Sequence, residues 1–163
     1  MNMVRTVLYV NLTAKTSGAE FSLLSLMAGL DREKFRPLLL LPEGGALKDA
    51  AAALGVETVI LPSLIRFGEY FHFYKIPKMV RAVFALRKII RQNGISLVHS
   101  NTPRAAYIAG VAAWTCRVPH VTHVRDIGMS PSMLIPGSVL YFVISRMLHN
   151  ALRAQCREAP SLF

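Results

Sequence analysis

The chain has 163 residues, enough for one domain with a real core or for one and a half small ones. Hydrophobic residues make up 53% of it and charged residues 17%, a balance too apolar for a disordered chain. With 19 Lys+Arg against 9 Asp+Glu the formal net charge is +10, which favours contact with an anion: phospholipid, nucleic acid or a phosphorylated substrate.

Two cysteines, Cys116 and Cys156, fit no metal-binding spacing and make a poor disulfide framework. They read as buried or idle thiols in a reducing compartment. The N-terminal apolar run VLYV is short and is followed by the polar NLTAKTSG, without a small-residue cleavage pattern, so it is not read as a signal peptide. Residues 133–148 are the most membrane-like stretch. They are too few to span, and Pro136, Gly137 and Arg146 interrupt them, so no transmembrane helix is expected.

Apolar runs alternate with helical patterns along the chain. VRTVLYV (4–10) reads as a buried strand. A helix fits 18–30, with Leu23, Leu26, Met27 and Leu30 at helical spacing. RPLLLLP (36–42) is a second strand, stopped by Pro42. After the turn at Glu43-Gly44-Gly45, residues 46–55 form an alanine-rich helix ended by Gly55. VETVILP (56–62) is a third strand and 75–94 a long helix ended at Asn93-Gly94. ISLVHS (95–100) is a fourth strand. Residues 102–116 form a helix with Thr102 as N-cap and Pro103 in its first turn. HVTHVRD (120–126) is a fifth strand, and 139–145 a possible sixth with a helix after it. This alternation predicts an α/β, Rossmann-like parallel sheet with helices on both faces. Ligands of such sheets bind beyond the C-terminal strand ends. That rule selects four places: the loop 11–18, the turn 42–45, and the stretches 99–104 and 123–130.

Four segments in this order and spacing resemble the N-terminal half of a family 4-like glycosyltransferase of the GT-B type. They are SGAEFSLLSLMAGL, LLLPEGGALKDAAAALGVETVILP, LRKIIRQNGISLVHSNTPRAAYIAGVAA and VPHVTHVRD. The resemblance runs from about residue 4 to 127 and more loosely to 156. It implies two Rossmann-like domains flanking a cleft, the N-terminal one mainly for the acceptor and the C-terminal one for the nucleotide-sugar donor. It also implies transfer with retention of configuration, no metal, and no cofactor other than the donor substrate. The donor-binding half is not in the sequence. The expectation is therefore a Rossmann-like domain over 1–130, completed or followed by 131–163. The isolated chain is expected to be incomplete, its missing domain supplied by a longer product or a separate subunit.

The resemblance also assigns roles. Ser17, Gly18 and Glu20 fall in the loop that approaches the donor diphosphate. Gly18 lets backbone come close, and the helix start offers N–H groups to an anion. The bland alternative is a turn glycine and an acid that supports the helix dipole. His99, Asn101 and Arg104 face the acceptor side. Arg104, a cation in a helix first turn, makes more sense beside an anion, but a capped helix with a solvated arginine is the plain alternative. Relatives often carry a sugar-contacting histidine beside an acid after the fifth strand. Here Arg125 precedes Asp126, with His123 two residues earlier, so Arg125, His123 and Asp126 are the catalytic candidates. Their alternative is a structural Arg-Asp pair with a core histidine. Gly44 and Gly45 border the acceptor pocket in the family and are otherwise turn residues.

In 64–91, Phe67, Tyr70, Phe71, Phe73 and Tyr74 precede a helix studded by Lys75, Lys78, Arg81, Arg87, Lys88 and Arg91, with Ile76, Val80, Val83 and Ile90 as its buried stripe. The segment reads either as a core helix with a solvated basic face or as a docking surface for anionic lipid. No nucleic-acid motif is present. The expected location is cytoplasmic, at the inner face of the membrane if that surface docks. Two other functions fit the same pattern: a fragment of a GT-B sugar-nucleotide epimerase, and a non-catalytic, truncated membrane-binding remnant.

Overall fold

A computed structural model of the protein describes residues 4–64 and 76–123. In chain order the elements are β1 (Arg5–Val10), α1 (Gly18–Ala28), β2 (Phe35–Leu41), α2 (Ala46–Ala53), β3 (Glu57–Ile60), α3 (Ile76–Gln92), β4 (Ile95–Ser100), α4 (Pro103–Cys116) and β5 (His120–Thr122). The strands form one sheet in the order β3-β2-β1-β4-β5, and every neighbouring pair is parallel. The expected α/β fold with helices on both faces is the one observed.

Strand periodicity divides the core in two. Leu8, Val10, Leu38 and Leu40 point to one face, where they pack with Leu86 and Ile90 of α3 and Ile108, Ala109 and Ala112 of α4. Their alternates Val7, Tyr9, Leu39 and Leu41 point to the other, against Leu23 and Met27 of α1 and Leu47 and Ala51 of α2. Burial on both faces explains why RPLLLLP reads as a continuous apolar run. Strand order climbs from β1 through β2 to β3 on one side and jumps to β4 on the other. The reversal between β1 and β4 is the place where open α/β sheets leave a crevice.

Two apolar stripes differ from expectation. In α1 the buried face is Glu20, Leu23, Leu24 and Met27, while Leu26 is 44% exposed. The helix is apolar on most sides, so spacing alone fits more than one face. In α3 the buried residues are Ala82, Leu86 and Ile90, with Met79 and Val83 half-buried beside them, and Val80 is 46% exposed. The α4 helix starts as anticipated, with Thr102 Oγ1 accepting from the Ala105 N–H at 3.3 Å. Cys116 is a half-buried free thiol at its end. The loop aromatics from Phe67 to Tyr74, Lys75, the sixth strand with its helix, Cys156 and the segment 131–163 lie outside the described residues. No helix of the described residues is long and apolar enough to cross a membrane.

Candidate functional site

Val10 pairs with Ser100, so the residues that follow them, Asn11 and Asn101, leave adjacent strands side by side at the reversal point. The Asn101 N–H donates to the Val10 carbonyl at 3.0 Å. Both side chains are closed to solvent, Asn11 at 0% and Asn101 at 1% exposure, and a chain of hydrogen bonds joins them. Asn11 Nδ2 donates to the Thr13 carbonyl at 2.9 Å and to Glu20 Oε1 at 3.1 Å. Asn101 Nδ2 donates to Asn11 Oδ1 at 3.0 Å and to the Ala19 carbonyl at 3.4 Å. The Ser17 hydroxyl donates to Glu20 Oε2. Glu20, only 2% exposed, therefore ties the start of α1 to the ends of β1 and β4. It does not present a surface charge to the helix dipole.

Ser17 is the N-cap of α1, but its hydroxyl is turned to Glu20 and makes no side-chain cap. The first turn of α1 is thus left without side-chain capping at an exposed corner of the sheet end. Gly18 stands there with no atom within 4 Å of where a Cβ would lie, and its φ is not positive. Neither the turn nor the packing demands a glycine. The open space at Gly18 is the feature that backbone approach to a ligand uses. Gly45 is different: a Cβ on it would lie 3.0 Å from the Ala14 Cβ and carbonyl oxygen, and the Leu47 N–H donates to that same carbonyl at 2.9 Å. The Leu47 bond fastens the 11–17 loop to the start of α2, and Gly45 lets the two backbones come that close. Gly44 is exposed with room around it.

Deeper along β4, the His99 ring meets Tyr9 edge-on at 5.2 Å between centroids and lies 6.0 Å from the half-buried His123 ring. Burial pushes the Tyr9 hydroxyl above its ordinary pKa. Ser100 Oγ and His120 Nε2 are 2.8 Å apart, tying β4 to β5. Burial first, and then the charge of His99, pulls His120 down from 6.5 to about 4, so the buried ring is neutral at ordinary pH. Arg104 is exposed in the first turn of α4. Arg125 and Asp126 lie outside the described residues, so of the three catalytic candidates only His123 is placed; its N–H donates to the Ser100 carbonyl at 2.9 Å.

The structure thus brings Ser17, Gly18, Glu20, His99, Asn101 and His123 to one end of the sheet. Asn11 was not singled out in the sequence; its signal is being the first polar residue after an apolar strand. A depression of about 350 Å³ lies at the opposite end, beside Arg32, Arg36 and Glu57. Arg32 there is engaged by the Met27 and Leu54 carbonyls and Arg36 by Glu57, so its polar groups are already matched. Among the described residues, no group of three or more His, Cys, Asp or Glu could hold a metal ion.

The sheet, its flanking helices and the crevice at the strand-order reversal define one Rossmann-like half of a GT-B architecture. The Glycosyltransferase Family 4 model matches residues 16–157, and the chain belongs to that family. Anabaena HepE, solved in complex with UDP and glucose, superposes with a TM-score of 0.57 at 20% identity, over 80% of this chain and 33% of that one. Acinetobacter baumannii MurG superposes at 0.60 and 16% identity, over 77% and 36%. A Rickettsia africae glycosyltransferase gives 0.59 at 15% identity, over 78% and 32%. The chain spans about a third of the length of these structures. No curated protein sequence matches it.

Proposed function

We propose that the chain is the acceptor-side half of a retaining glycosyltransferase that moves a sugar from a nucleotide-sugar to a glycan, lipid or small acceptor. The donor-binding half comes from a longer product or from a separate subunit. The observation that carries this reading is the family match across the segment whose strand ends build the buried Asn11–Glu20–Asn101 cluster beside an uncapped, sterically open helix start. In this reading Ser17 and Gly18 admit the donor diphosphate, and His99, Asn101 and Arg104 line the acceptor side, with Gly44 at its border. His123, Arg125 and Asp126 supply the groups at the reacting sugar. Positioning and stabilisation of the leaving diphosphate give the rate gain, and no cofactor or metal is called for.

The test is label transfer from a panel of UDP- and GDP-sugars to lipid and polyol acceptors, in lysate containing the native protein. A Gly18→Ala variant is expected to keep the wild-type melting temperature, because the added methyl group meets nothing. Its transfer rate is expected to fall by about tenfold or more, the equivalent of about 1.4 kcal/mol. No transfer above a lysate lacking the protein would sink the reading.

A second observation favours membrane attachment of the same domain. The α3 helix carries Lys78, Arg81, Arg87, Lys88 and Arg91 and no acid. Among these cations Phe84 is 61% and Val80 46% exposed, and the Arg87 guanidinium sits 5.7 Å from the Phe84 ring centroid. Exposed apolar groups among cations suit an anionic lipid surface at the cytoplasmic face, at about 1 kcal/mol per cation near it. The chain is expected to pellet with phosphatidylglycerol vesicles and to stay in the supernatant when Arg81, Lys88 and Arg91 are all changed to Glu. Pelleting that survives the reversal excludes this face.

A further inference from the structure

The amide chain at the crevice has a fixed direction. Each NH2 group in it meets only acceptors: Asn11 Nδ2 faces Glu20 Oε1 and the Thr13 carbonyl, and Asn101 Nδ2 faces Asn11 Oδ1 and the Ala19 carbonyl. Rotating either amide by half a turn would set donor against donor or acceptor against acceptor. The direction therefore runs from the carboxylate of Glu20 outward and ends on an oxygen, Asn101 Oδ1. That oxygen is buried and has no hydrogen-bond partner among the described residues. An unmet buried acceptor is destabilising, a penalty that an apolar side chain at this position would not carry. The cluster is thus not arranged for stability alone, and it lies where open α/β sheets bind their ligands.

We propose that Glu20 and Asn11 are positioning residues that hold Asn101 Oδ1 as a preset acceptor for one hydroxyl of the sugar-class ligand bound at this crevice. This rests on the site reading given above and deepens it: it names the atom, the donor type it takes, and two residues that act through it. A desolvated acceptor discriminates strongly. A ligand carrying the hydroxyl satisfies it, and a deoxy ligand leaves it unmet. Because the oxygen is closed to solvent, the hydroxyl reaches it only as the strand end opens around the ligand. Glu20→Gln keeps the size of the side chain but replaces one acceptor with a donor. With its remaining oxygen toward Asn11 Nδ2, the new NH2 group must donate to a Ser17 hydroxyl that turns round to accept it, and the Asn11 bond loses its ionised acceptor, which loosens the direction of the whole chain.

The experiment is an NMR titration of the isotopically labelled 163-residue chain with glucose, N-acetylglucosamine and UDP-glucose, followed by the monodeoxy analogues of whichever probe binds. In the wild type, the Asn101 side-chain NH2 signals are expected to shift on binding, and one deoxy analogue to bind about tenfold more weakly than its parent. That preference is expected to vanish in Asn101→Leu and to fall at least threefold in Glu20→Gln, with the backbone spectrum away from the site unchanged. Glu20→Gln that lowers only the urea midpoint and keeps the full preference overturns the positioning role while the site reading stands. A bound probe with no deoxy preference overturns the acceptor role of Asn101. No shift with any probe overturns the proposal together with the site reading beneath it.

Discussion

Leu23→Ala is expected to lower the unfolding free energy by about 2–5 kcal/mol, and Leu26→Ala in the same helix by less than about 1 kcal/mol. Leu23 is wholly enclosed between α1 and the sheet face formed by Val7, Tyr9, Leu39 and Leu41. Truncating it removes its transfer energy and leaves a hole that neighbours on both sides of the layer cannot close. Leu26 is 44% exposed and gives up far less. Urea titration of both variants gives the comparison directly, through midpoints at constant slope. Equal losses at the two positions would mean that α1 is rotated relative to the face described. Glu20 would then not reach Asn11.

Acid is expected to weaken the fold through His120. The neutral ring is buried with Ser100 Oγ at 2.8 Å, and its pKa lies at about 4 against 6.5 in the unfolded chain. Below 6.5 the unfolded chain takes up a proton that the folded one refuses. The stabilisation is thus complete above that pH and is lost as pH falls toward about 4. The full effect is about 3 kcal/mol, of which about 2 kcal/mol disappears between pH 7 and pH 5. His120→Gln is expected to flatten this part of the profile in urea unfolding across pH 5–7. An unchanged slope in the variant would assign the acid sensitivity to other groups.

Much of the architecture is legible in residue order. The apolar strands are short, their separators carry glycine or proline, and the helices between them have the length a parallel crossover needs. The element types held throughout the described residues, and the helix start at Thr102-Pro103 was visible in its capping residues. Helix rotation was less legible. In α1, Leu23, Leu24, Leu26 and Met27 offer competing faces, and the buried one includes an acid. Hydrophobicity alone places Glu20 outside; only the partners Asn11 and Ser17, set by tertiary contacts, make its burial tolerable. The site was half legible for the same reason. Strand-end logic selected Ser17, Gly18, His99 and Asn101. It took in Asn11 only as the first position of the loop 11–18 and did not single it out, because its importance lies in a residue 90 positions away.

That separation has a kinetic side. The β1–β2–β3 unit closes through short crossovers, whereas β4 reaches β1 only after the intervening chain has been brought round, a contact of high sequence separation. The Asn11–Asn101 bond thus lies on the seam of the sheet that has the longest loop to close. During refolding the crevice comes into being only when the two sides of the sheet dock. A ligand that grips both strand ends stabilises the docked arrangement by mass action, so its recognition and the closure of that seam favour one another.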